Sequence, residues 1–201
     1  MINYNKGAMF GLDARIALAI FGTLSVIGGA ALYNAIQNSK ATAAISSMSE
    51  VGKAWEQHYL DTGKEILEVH SNGLLKINEL VTNIGQDGWK GPYIPYELIN
   101  DRELQANNNM SFQIAILTGD NTWITSELPE NASTQAECVA GVKCAIWVKL
   151  GPVNSSVAKV MDQQYDGATD FLKGKLRAYQ TNSSSPYYVY LKVAPINNPN
   201  G

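Results

Sequence analysis

Asp13 is the residue whose position most needs a chemical explanation. It stands at the mouth of an apolar run that carries no charge from Ile16 to Ile36. That run matches the ~20 apolar residues needed to span a bilayer. A carboxylate at a bilayer centre costs roughly 2.5–3.5 kcal/mol, so an acid placed here calls for a partner. Other groups able to do chemistry are few. Asp162, Asp166 and Asp170 recur at four-residue intervals and offer hard oxygen ligands of the kind calcium takes. Their spacing is not that of an EF-hand, and Gly167 should break the helix that would align them, so capping and solvation compete with calcium. Lys173, Lys175 and Arg177 alternate around Leu176. On a strand this puts three cations on one face, for a neighbour's acids, for DNA or for solvent. Cys138 and Cys144 bracket V-A-G-V-K, which is not the C-x-x-C of a redox or zinc site. In an oxidising compartment they are expected to form a disulfide, and a ring this small contributes about 2–2.5 kcal/mol. His58 and His70 sit in no ligand spacing, and His58 is expected on the solvent side of its helix. G-x-S-x-G, P-loop and Rossmann fingerprints are absent from the sequence. The chain is therefore not expected to be an enzyme, and calcium is the single cofactor candidate.

The elements that position these groups follow from periodicity. A helix is expected from about Met9 to Leu60. Its first half is apolar all round, while Ala41, Ala44, Ile45, Met48, Val51, Trp55 and Tyr59 form one stripe of an amphipathic second half. Thr62-Gly63 is a stop. Leu74–Val81 reads as a short second helix. Gly85–Tyr96, rich in Gly, Pro and aromatics, reads as an ordered loop that must bury Trp89 and Tyr93. Strands are expected at Ser111–Thr118, Thr122–Ser126, Cys144–Leu150, Lys173–Gln180 and Tyr187–Val193, with Gly119-Asp120-Asn121 as a hairpin turn. Pro152 should end the third, and Ser155 or Ser156 should cap a helix bearing Val157, Val160, Met161 and Tyr165 on one face.

Three readings of the N-terminal stretch compete. A cleaved secretory signal has a core of only ~7–15 residues and its small-residue site after that core. Here the core is longer and Gly7-Ala8 precede it. A plain signal anchor leaves Asp13 unexplained. A short leader carrying Lys6 and cut after Ala8 accounts for all three features, and makes Asp13 the fifth mature residue.

Those residues resemble the type IV pilin and type II secretion pseudopilin superfamily. Its members have a basic leader ending in a small residue, an aromatic or Met start, an acid at the fifth mature position and an apolar helix. Ala8 stands where the family usually has Gly, Asp13 where it usually has Glu, and Ala30 near a frequent proline. D-G-W-K-G-P-Y-I (Asp87–Ile94) resembles the family's G-W-x-G-P-Y-L run, and the segment from Val157 to Ala178 loosely resembles the D-x-x-x-D-D-G…G-x-x-R tail of some prepilin-like proteins. The resemblance implies an α+β fold, a long N-terminal helix packed on a four- to five-stranded antiparallel sheet. Its parts would be a leader (1–8), a transmembrane or filament-core helix (9–36), the amphipathic half of that helix (37–61) and a globular head (62–201). It also implies cleavage at Gly7-Ala8/Met9 by prepilin peptidase, methylation of Met9, and pairing of the Met9 amine with Asp13 of a neighbour. Gly22, Gly28 and Gly29 become points where the helix could melt in a filament, or else permit close helix packing. Implied partners are copies of itself, the pilus assembly machinery and the inner membrane, with an extracellular or periplasmic filament as the end state. The G-W-K-G-P-Y run leans to secretion pseudopilins, while head size and the cysteine loop lean to pilus subunits. The alternative is a minor pilin acting as an adhesin or ligand-binding module, with Tyr188 and Tyr190 facing outward. A formal net charge of −3 and a pI near 5.4 give no global footprint for nucleic acid.

Overall fold

A computed structural model describes residues 7–66, 73–107, 109–119 and 138–197, with side chains from residue 11 onward. His70, the segment Thr122–Ser126 and the turn residues Asp120 and Asn121 lie outside these, as do Lys6 and the side chains of Ala8 and Met9. The first element is a helix, α1, Gly7–Thr62. The chain divides into two units, Met1–Ser39 and Lys40–Gly201.

In the first unit α1 runs unbroken through Gly22, Gly28 and Gly29. In the second unit the rest of α1 is amphipathic. Ala41, Met48, Val51 and Trp55 are buried, with Ala44 and Ile45 packed beside them. The stripe continues to His58, which is fully buried, while Tyr59 is exposed and stacks on Trp55 at 6.3 Å. The expected stripe is thus right as far as Trp55 and wrong at its last residue. At Gly52 the helix comes close to the sheet, and a Cβ there would sit 2.8 Å from Val193 Cγ2. α1 ends as expected: Gly63 takes φ 65° and its N–H donates to Tyr59 O at 2.8 Å, a left-handed C-cap.

The sheet has six strands among the described residues: β1 Leu98–Asn100, β2 Glu103–Gln105, β3 Ser111–Thr118, β4 Cys144–Val153, β5 Leu176–Gln180 and β6 Tyr187–Ile196. Their order is β1-β2-β3-β4-β6-β5, and every pairing is antiparallel. The α+β architecture is the one expected; the strand count exceeds four or five because the short β1–β2 hairpin carries no alternation. Its turn is set by Asn100 Oδ1, which accepts from Arg102 N at 2.9 Å.

Three local expectations change. Leu74–Val81 is not a helix. Leu74 bridges Ala115, Leu75 N donates to Ile114 O at 2.9 Å and Ile116 N to Gly73 O at 2.8 Å, so β3 claims this backbone. Only Ile77–Leu80 wind into a 3₁₀ turn. Pro152 does not end β4, because it falls in the register irregularity between Leu150 and Val153, where its missing N–H costs nothing. The second helix, α2 Ser155–Asp166, is capped by Asn154, whose side chain accepts from Ser156 N at 2.9 Å, rather than by either serine.

Both faces of the central strands are covered. On one, Phe112, Ile114, Ile116, Ile146, Val148, Val189 and Leu191 meet the inner stripe of α1 and the Val157–Met161 face of α2. On the other, Ala115, Leu117, Ala145, Trp147 and Tyr190 pack with Leu74, Leu172, Tyr179 and Tyr188. Burial on both sides explains why β3 and β4 read as nearly continuous apolar runs.

Candidate functional site

The first unit supplies the strongest candidate. From Gly11 to Ser39 nearly every position of α1 is exposed, and its surface is apolar. Leu18 and Phe21 are each 70% exposed and Val26 73%. A helix this long, apolar and bare satisfies the length and composition for a membrane span. Its backbone bonds are all internal, which is what a lipid or filament interior requires. Asp13 is exposed at its start. A Cβ at Gly22, Gly28 or Gly29 would meet nothing within 4 Å, so no packing in the chain itself calls for glycine there.

The head places the other sequence candidates. Cys138 and Cys144 form the expected disulfide, with Cα atoms 5.7 Å apart. The three aspartates do not converge as a metal centre, and among the described residues no such cluster of His, Cys, Asp and Glu exists. Instead they organise the turn after α2. Asp162 Oδ2 accepts from Asp170 N at 2.7 Å, Asp166 Oδ2 from Leu176 N at 2.8 Å and Asp170 Oδ1 from Leu172 N at 3.2 Å. Asp162 is fully buried, and its Oδ1 has no partner among the described residues. Burial, aided by the charges of Asp166 and Asp170, pushes its pKa up to about 6 against the Asp170 hydrogen bond.

Lys173, Lys175 and Arg177 do not share a sheet face. β5 begins only at Leu176, after Gly174 turns the chain at φ 89°. Lys173 lies in that turn, 3.4 Å from Asp170, while Arg177 is 1% exposed with its guanidinium 5.0 Å from the Trp147 ring. Tyr188 and Tyr190 do not face outward either: Tyr188 is half-buried and Tyr190 buried beside Tyr179. Burial, helped by the tyrosines around it, raises the Tyr190 pKa well above its ordinary value.

Two polar arrangements escaped the sequence reading. His58 is not at the surface: its Nε2 donates to Gln86 Oε1 at 2.8 Å, and Gln86 Nε2 donates to Glu79 Oε2 at 2.6 Å. His58 Nε2 lies 3.7 Å from Glu79 Oε2, and both side chains are buried. Burial raises the Glu79 pKa, against Gln86 and His58. This relay joins the end of α1 to the 3₁₀ turn and the 85–93 loop. Trp89 Nε1 strengthens the join by donating to Glu79 O at 2.8 Å, as does Lys90 by pairing with Asp61 at 3.1 Å. The i, i+3 step from Trp55 to His58 was the available signal. The second arrangement is a row of Glu103, Gln113 and Lys149 across β2, β3 and β4. Burial lowers the Lys149 pKa to about 8 against the attraction of Glu103.

Comparison with protein-family models, curated proteins and solved structures finds no match.

Proposed function

We propose that this chain is a structural subunit of a type IV pilus or secretion pseudopilus, anchored in the inner membrane and polymerised through the first part of α1. The observation that carries the reading is the bare apolar helix with a carboxylate near its start. A water-exposed surface of this kind needs lipid or other copies of itself to cover it. In lipid, Asp13 sits at the mouth of the span. Once helices bundle and exclude water, its partner is the amine of Met9 freed by cleavage after Ala8. At ~4 Å the two attract by roughly 4 kcal/mol at an effective dielectric of 20. That offsets desolvation and fixes axial register between subunits.

The amphipathic part of α1, clamped on the sheet by its inner stripe and at its end by the His58 relay, suits a head that must stay folded while the first part changes environment. The disulfide suits an oxidising compartment. N-terminal sequencing and intact mass of protein sheared from cells test this reading. A chain beginning at Met9 supports it, and one beginning at an uncut Met1 contradicts it.

A further inference from the structure

On the sheet face turned away from α1, an amine, a carboxamide and a carboxylate meet in one line. Gln113 and Lys149 are direct cross-strand partners on β3 and β4. Glu103 stands one step along from the Leu104–Phe112 pair of β2 and β3. Lys149 Nζ donates to Gln113 Oε1 at 2.8 Å, and Gln113 Nε2 donates to Glu103 Oε1 at 2.6 Å. The two neighbours fix the amide's orientation, since lysine can only donate and an ionised glutamate can only accept. Gln113 is 8% exposed. The Tyr188 ring lies 4.6 Å from Nζ and the Tyr190 ring 6.0 Å. The central amide is thus short of water, and the half-buried amine lies beside two aromatic rings.

We propose that this row is an autocatalytic cross-linking site, in which Lys149 Nζ displaces the amide nitrogen of Gln113 to form an isopeptide bond between β3 and β4. The Nζ–Cδ bond forms, the Cδ–Nε2 bond breaks, and Nε2 leaves as ammonia. Glu103, already bonded to the leaving nitrogen, takes a proton from the attacking nitrogen and delivers it to Nε2, so the carboxylate is regenerated. An amine and a primary amide become a secondary amide and ammonia, with no oxidant, metal or nucleotide consumed.

Ordinary lysines and glutamines do not react this way, because a charged ammonium is no nucleophile and the groups seldom meet. Here both obstacles are reduced. The paired strands hold the reacting groups at hydrogen-bond distance, which replaces a bimolecular encounter by a positioned one. Burial lowers the Lys149 pKa to about 8, so a share of the amine is neutral near pH 7. The groups that face Nζ are Glu103 from β2, Gln113 from β3, and Tyr188 and Tyr190 from β6; Glu103 opposes the lowering without cancelling it. The bond would tie the two long central strands covalently, and it does not depend on the filament reading.

Intact mass and peptide mapping of the full-length protein purified from cells test the proposal. The expected chain is lighter by one ammonia than its own processed sequence. After reduction of the Cys138–Cys144 disulfide, which by itself joins the same two tryptic peptides, trypsin should fail at Lys149 and still release a branched peptide joining that segment to the one holding Gln113. Lys149→Arg, which keeps the charge and the hydrogen bond, should restore the full mass without loss of fold, and Glu103→Gln should slow or abolish the branch. Linear peptides with an intact Gln113 and a free Lys149 amine throughout the wild-type population, persisting after long incubation above pH 8, would overturn the proposal. A branch formed as fully in Glu103→Gln would remove the proton relay assigned to Glu103.

Discussion

Replacing Gly88 by alanine tests how the 85–93 loop is held to the end of α1. Gly88 has φ 83°, in the left-handed region where a Cβ costs roughly 1–2 kcal/mol. Its Cβ would also overlap the carbonyl oxygen of Asp61, with Asp61 C at 3.3 Å and Thr62 Cα at 3.4 Å. These are backbone atoms of the last turn of α1 and cannot swing aside. Relief needs the loop or the helix end to shift, and overpacking of this kind adds about 1–3 kcal/mol. Such a shift would pull on the Lys90–Asp61 pair and the Trp89–Glu79 bond. Gly85 is the internal control, with φ 96° and nothing within 4 Å of a Cβ. Gly85→Ala therefore isolates the dihedral cost. The expected losses are about 1–2 kcal/mol for Gly85→Ala and about 2–5 kcal/mol for Gly88→Ala. Tryptophan fluorescence during urea unfolding in detergent micelles reads both. Equal losses would refute the close approach of loop and helix end.

Three further outcomes are expected. His58→Ala leaves Gln86 without its donor and Glu79 buried without its basic neighbour, and should cost about 2–4 kcal/mol in the same unfolding assay; a loss below about 0.5 kcal/mol, the range of ordinary surface changes, would show the relay to be idle. Asp162 binds its proton more tightly in the folded head than in the unfolded chain, so stability should fall as pH rises from about 4 through about 6. Asp162→Asn, which does not titrate, should gain on wild type across that window by at most about 3 kcal/mol, and a difference in Tm independent of pH would contradict the assignment. Asp13→Ala should leave the subunit inserted in the membrane but block polymer growth, checked by fractionation and by electron microscopy of sheared material; normal fibres would remove the role given to Asp13.

What could be read from the sequence was what one-dimensional periodicity and composition encode. The stripe from Ala41 to Trp55 carries such a pattern, while the segment Ile16 to Ile36 and the strands β3 and β4 were legible as continuous apolar runs, β6 as a run of aromatic and β-branched residues, and Gly63 as a stop. The cysteine loop was legible because its two thiols are near in sequence. The misses share a different cause. His58 is a polar residue at an inward position, and its polarity pointed outward because Gln86, which bonds its Nε2 and links it to Glu79, comes from a separate loop. Arg177 was grouped with Lys173 and Lys175 on one strand face because the packing of Trp147 against it is a long-range fact. Lys149 and Gln113 carry no local signal, since only the β3–β4 register brings them opposite one another. Leu74–Val81 had helical spacing, yet pairing with β3 overrode it, as tertiary hydrogen bonding regularly overrides propensity.

The central claim is that the bare apolar part of α1 is the element through which subunits join. A cryo-EM map of filaments sheared from cells tests it most directly. The account predicts helices 9–36 bundled along the filament axis, with each Asp13 carboxylate at ion-pair distance from the Met9 amine of a neighbour. A map in which subunits touch only through residues 62–201, with those helices apart, would contradict it.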